Sequence, residues 1–122
     1  MRRVCPHVCP NAPKFSDLAN TVSEWYVNVK DTARIHVAAL LSSSISNERI
    51  FAFANTFTWN EVLEVLRNLY PTRNFPGDIS GAERSNMKVP NERGAQLLKA
   101  FFGRESWTGL EETVADNLRD LV

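Results

Sequence analysis

The stretch SEWYVNVKDTARIHVAALL, residues 23–41, changes its hydrophobic period partway along, and that change limits the fold more than any other feature. Trp25, Val27 and Val29 alternate with Tyr26 and Asn28, the period-two pattern of a strand rich in aromatic and β-branched residues. After Asp31 the pattern turns helical. Asp is a good N-cap because its carboxylate accepts from the free N–H groups of the first turn. The spacing predicts a helix from about Thr32 to Leu41, with Ala33, Val37, Leu40 and Leu41 on one stripe. Arg34 and His36 are its only strongly polar members, so the helix is predicted to be largely buried, with His36 hydrogen-bonded inside. A strand leading straight into a buried helix points to an α/β class.

The rest of the chain extends this alternation. RIFAFA, residues 49–54, is apolar on both faces and reads as a central parallel strand. A turn at Asn55 and Thr56 follows. Thr58 and Glu61 have the spacing of a capping box. Behind them Val62, Leu63, Leu66, Leu69 and Tyr70 share a helical face, and Pro71 ends it. Residues 71–90 hold three prolines and two glycines with little period. A loop this long in a small domain is usually functional or mobile. Asn91 then caps a helix with Ala95, Leu98 and Phe102 on one face, closed by Gly103. Thr108 and Glu111 have the spacing of a second capping box, followed by Leu110, Val114, Leu118 and Leu121. Trp59 and Trp107 sit at helix starts and are expected to pack there. The order is strand–helix–strand–helix–loop–helix–helix.

Composition removes several function classes. Lys plus Arg and Asp plus Glu both number 14, so the net charge is zero and no basic footprint for nucleic acid or an anionic membrane exists. No apolar run approaches a membrane span. Residues 1–22 read as an irregular leader: Arg2 and Arg3 are followed by prolines at 6, 10 and 13 rather than an apolar stretch, unlike a signal peptide. The expected location is cytoplasmic. Cys5, His7 and Cys9 have a metal-like spacing, but a fourth ligand is wanting, and no metal site is expected.

Three pieces, in order, resemble one family. WYVNVKDTARIHVAALL is similar to the strand "(F/W)VxVxD" and helix "DxAxxHxxAL" of the extended short-chain dehydrogenases, the NAD-dependent epimerase/dehydratase family. ERIFAFANTFTWNEVLEVLRNLYP resembles its last core strand and the helix after it. NERGAQLLKAFFGRESWTGLEETVADNL resembles its C-terminal pattern of a Leu-Leu helix, a glycine and "Trp-(Thr/Ser)-x-Leu-Glu-Glu". The flavour is that of the fungal ketone and aldehyde reductases. The resemblance spans residues 24–120 and implies an α/β fragment of a Rossmann-like fold, with about two strands and four helices. Residues 23–122 would be a C-terminal, substrate-domain-like region. The family's dinucleotide-binding domain carries Gly-x-x-Gly-x-x-Gly after its first strand. The five glycines here, at 77, 81, 94, 103 and 109, do not form that spacing.

The resemblance also decides what Tyr26 and Lys30 are. Their Tyr-x-x-x-Lys spacing matches the family's catalytic signature, whose two residues lie one helical turn apart so that the Lys can lower the Tyr pKa. On a strand they would lie about 13 Å apart at ~3.3 Å per residue. The segment also aligns downstream of the family's catalytic helix. No catalytic residue is therefore expected in this chain. Tyr26 and Asn28, on the polar face of the strand, and Arg84, in the long loop, are candidate substrate contacts. Solvated surface charge is the competing reading for Arg84 and for Lys88. No cofactor is expected to bind this segment alone, while full-length relatives would use NAD(P) on a small carbonyl or sugar substrate. The segment is expected to be inactive by itself. The alternative is a small interaction module that pairs through a strand at 49–54, covered by a protein partner, and through apolar helix faces.

Overall fold

The computed structural model describes residues 24–121, so the leader and its Cys5, His7 and Cys9 lie outside the described residues. Six elements follow in order: β1 (Trp25–Tyr26), α1 (Val29–Leu41), β2 (Asn55–Thr56), α2 (Trp59–Leu69), α3 (Glu92–Phe102) and α4 (Leu110–Leu118). Two strands and four helices make the expected α/β fragment. β1 and β2 pair antiparallel, Trp25 opposite Thr56 and Tyr26 opposite Asn55. The ladder is extended on either side by Ala54 N–H donating to the Tyr26 carbonyl at 2.8 Å and Phe57 N–H to the Glu24 carbonyl at 3.1 Å.

The strand-to-helix switch comes earlier than the sequence suggests. Asn28, not Asp31, is the N-cap of α1; its side-chain oxygen accepts from the Lys30 N–H at 2.8 Å. The helix takes in Val29 and Lys30, and β1 is correspondingly short. Asp31 lies in the first turn, fully buried. The buried stripe of α1 is Asp31, Ile35 and Ala38. The stripe expected from Val37, Leu40 and Leu41 faces outward, with Leu40 85% exposed. A helix apolar nearly all round gives period alone no means of choosing a face, and one buried carboxylate decides the rotation here. His36 is exposed rather than buried, and its Nδ1 lies 2.8 Å from the Thr32 carbonyl.

Residues 49–54 form no strand, so the expected parallel central strand is absent among the described residues. The ladder falls instead on Asn55 and Thr56, where a turn was expected. RIFAFA has no regular secondary structure, and its Ile50 and Ala52 pack against the core. Ile35, Ala38, Leu97 and Leu98 are the core's buried centre, and Ile45, Ile50, Ala52 and Trp107 pack around it. Burial of Ile35, Leu97 and Leu98 contributes about 1.5–3 kcal/mol each. α1 packs on α3, and α2 on α4.

Helix termini account for the remaining order. The capping box of α2 forms as predicted: Glu61 N–H donates to Thr58 Oγ1 at 3.3 Å, and Thr58 N–H to Glu61 Oε2 at 2.6 Å. Gly103 closes α3 at φ 63°, a conformation a Cβ would oppose. Asn91 precedes α3 but caps nothing with its side chain; its Nδ2 donates to the Phe53 and Ala54 carbonyls. The second capping box does not form. Gly109 is the N-cap of α4, and Thr108 turns inward, donating its N–H to Asp31 Oδ2 at 2.7 Å. A buried carboxylate out-competes the local glutamate for that residue. Gly94 is the one glycine packed against neighbours, because a Cβ there would lie 2.8 Å from the Phe51 carbonyl oxygen and 2.8 Å from the Trp107 ring.

Candidate functional site

The loop between α2 and α3 is tied down along its length. Arg67 binds Asp78 at 2.7 Å and the Pro76 carbonyl at 2.6 Å. Asn60 and Ile79 exchange two hydrogen bonds, at 3.0 and 2.8 Å. Trp25 Nε1 donates to the Met87 carbonyl at 3.1 Å. Between these ties the loop brings Arg84 onto the β1–β2 ladder. One Arg84 nitrogen donates to the Thr56 carbonyl at 2.8 Å and to Thr56 Oγ1 at 3.1 Å; the other binds Glu61 Oε1.

Tyr26 belongs to the same patch. Its ring meets Phe57 edge-on at 6.3 Å, and Phe57 meets Trp59 edge-on at 5.4 Å, a geometry aromatic quadrupoles favour. Burial pushes the Tyr26 phenol above its ordinary value; the Glu61 charge adds to this, and the Leu110 backbone N–H works against it. Leu110 opens α4, whose N-cap Gly109 has no side chain to offer. Partial burial acts to raise the Glu61 carboxyl. The Thr58 N–H, the Arg84 guanidinium and the Thr58 hydroxyl outweigh it and hold the carboxyl below its usual range. The result is a half-buried aromatic wall (Tyr26, Phe57, Trp59) edged by the Glu61–Arg84 ion pair. It offers stacking area together with hydrogen-bond donors and an acceptor.

Arg84 is thus held on Thr56, next to Asn55, the ladder partner of Tyr26, while Asn28 stands apart. Asn28 is 1% exposed, and its Nδ2 donates to Asp116 Oδ2 at 3.0 Å. Lys30 Nζ binds the same carboxylate at 2.8 Å, and Arg119 binds it too. The Lys30 and Asn28 hydrogen bonds hold the Asp116 carboxyl below its usual range. Lys30 is therefore engaged with α4 and does not act on the Tyr26 phenol. Sequence reasoning missed Glu61 as a site residue. Its capping-box role was evident, but its second oxygen, and the arginine 23 residues away that it holds, carry no local signal.

A groove of about 220 Å³ lies on the other side of α1. Ile35, Ala39, Ile45, Ile50 and Ala52 line it, with His36 and Glu48 among its polar groups. Arg93 holds Glu48 at 2.8 Å. Among the described residues no three His, Cys, Asp or Glu side chains are placed to hold a metal ion, and no helix is long and apolar enough to cross a membrane. The α1 N-terminus is occupied by Asn28 and that of α2 by the Thr58 box.

No family model matches the chain. Curated proteins do. The ketoreductase nvfG of Aspergillus novofumigatus is 40% identical over 95 residues, 77% of this chain and 28% of that protein. Aldehyde reductase 2 of Sporidiobolus salmonicolor is 32% identical over 99 residues, 81% of this chain and 29% of that protein. The NAD-dependent epimerase/dehydratase terH of Aspergillus terreus is 35% identical over 91 residues, 75% of this chain and 26% of that protein. The chain therefore spans under a third of the length of the curated relatives it matches. With fungal reductases and an epimerase/dehydratase of 32 to 40% identity matching it over 75 to 81% of its length, the chain belongs to the NAD-dependent epimerase/dehydratase family.

Proposed function

We propose that this chain forms the substrate-facing part of an NAD(P)-dependent reductase acting on a small carbonyl compound. The observation that carries the reading is the Tyr26–Glu61–Arg84 patch, set beside an aromatic wall in a chain similar to a ketoreductase and an aldehyde reductase. Tyr26 and Arg84 meet the substrate. Asn28 positions Tyr26 from within, because it fixes the start of α1 two residues beyond Tyr26 and ties it to Asp116 on α4. The nicotinamide, which supplies the hydride when bound, is held by residues other than those described here. The chain's own residues bind and orient the carbonyl compound and exclude water from one side of it.

The groove beside α1 is where the remainder of such an enzyme packs. Ile50 and Ala52, in the segment 49–54, supply part of its apolar surface. This reading makes the segment inactive alone and places it in an aqueous compartment.

Titration of the chain with NADPH and, separately, with an aryl ketone, followed by backbone amide NMR, tests the proposal. The ketone is expected to shift the amides of Tyr26, Phe57, Trp59 and Arg84, and NADPH to shift none at micromolar concentration. Micromolar NADPH binding, or ketone binding confined to the α1 groove, overturns it.

A further inference from the structure

The Tyr26 patch also carries information on what kind of carbonyl compound it takes, and this rests on the reading just proposed. A lone arginine beside a tyrosine is a common way to hold a carboxylate or phosphate, since a guanidinium matches two oxygens at once. Arg84 is not in that state. One of its terminal nitrogens is used by Thr56 and the other by Glu61, whose remaining oxygen is fixed by the Thr58 N–H and hydroxyl. Glu61 cannot swing away without giving up its capping box. An anionic substrate would have to compete for the guanidinium against a carboxylate anchored on α2, and would face that carboxylate as a like charge. The other surfaces of the patch are the rings of Tyr26, Phe57 and Trp59.

We infer that the site takes uncharged carbonyl compounds with an apolar, ring-sized body and rejects anionic ones, with the Glu61–Arg84 pair as the specificity-determining element. The negative field acting on the Tyr26 phenol agrees with this, since Glu61 is one of the groups that raise it.

The test uses two probes of nearly the same shape, benzoylpropionamide and benzoylpropionate, titrated into the whole chain at low ionic strength with amide NMR as the readout. The neutral amide should bind roughly two- to fivefold more tightly than the carboxylate, the range set by a partly exposed ion pair. Glu61→Gln keeps an acceptor for the capping box and removes the competing charge. It should bring the ratio to unity or reverse it. Arg84→Met leaves Glu61 unneutralised and should widen the preference; it serves equally if the glutamine variant does not fold. A carboxylate that binds the wild-type chain as tightly as the amide overturns the inference while leaving the site reading intact. If neither probe shifts the patch, the site reading itself falls, and the inference with it.

Discussion

Replacing Asp31 by Asn separates two accounts of the same residue. As a helix N-cap, Asp31 would tolerate the change, because Asn caps about as well as Asp and the stability would move by only a few tenths of a kcal/mol. The structure gives it another role. Its side chain is fully buried, bound by Arg34 at 2.7 Å and the Thr108 N–H at 2.7 Å, with Arg104 Nε 3.7 Å away. Removing one partner of a fully buried ion pair costs about 3–5 kcal/mol. Here the arginine side chains are 28% and 32% exposed, so water recovers part of that. The Asn oxygen also keeps the Thr108 bond, worth about 1 kcal/mol. These offsets bring the expected loss to about 2 kcal/mol, below that range. Urea unfolding followed by tryptophan fluorescence and far-UV circular dichroism reads it. With a slope of about 1 kcal/mol per molar urea, the midpoint should fall by roughly 2 M. A midpoint within about 0.5 M of the wild type would refute the ion-pair account and restore the cap.

Other perturbations reach the remaining elements. Gly94→Ala should destabilise the chain by about 1 kcal/mol in the same assay, because overpacking against the Phe51 carbonyl and the Trp107 ring (about 1–3 kcal/mol) outweighs the helix-propensity gain of up to ~1 kcal/mol. Thr58→Ala should cost about 1 kcal/mol by removing the α2 cap, while Thr58→Ser should be close to neutral. Glu61 and Asp116 both have depressed carboxyl pKa values, so their contribution to stability is present above the ordinary values of 4.5 and 3.8 and is lost as pH falls through the lower folded values. An acid titration of unfolding should show a plateau near neutral pH and a decline below about 4.5, shallower in Asp116→Asn. The Tyr26 phenol should titrate above 10.0 by ultraviolet absorbance, read as a difference from Tyr26→Phe, and should move down in Glu61→Gln.

Local chemistry was readable from the residues, and long-range chemistry was not. The α2 capping box and the Gly103 terminus follow from spacing alone, because each depends on residues within one turn. The family is legible too, because its motifs recur in order along the chain. The rotation of α1 is different: Leu40, Leu41 and Val37 are as apolar as Ile35 and Ala38, and the buried face is marked by contacts distant in sequence, the Asp31–Thr108 bond across 77 residues and the packing on Leu97 and Leu98. The 49–54 segment misled in a similar way. Its apolar residues are half-buried outside any sheet, with only Ala54 fully buried, and a composition rule cannot tell that from burial in a central strand. In the site, the sequence marks Tyr26 and Arg84 separately, and Glu61, which holds Arg84 from 23 residues away, is legible only as a cap.

The central claim is that these residues face the substrate of a reductase. A chimera tests it most directly: the segment of the Aspergillus novofumigatus ketoreductase that matches this chain is replaced by residues of this chain, and NADPH oxidation is followed over neutral and anionic aryl ketones. The account predicts a folded, active chimera whose preference for neutral ketones narrows in Glu61→Gln. A chimera that folds and binds NADPH but reduces none of the ketones, or whose substrate preference is indifferent to Glu61 and Arg84, would contradict it.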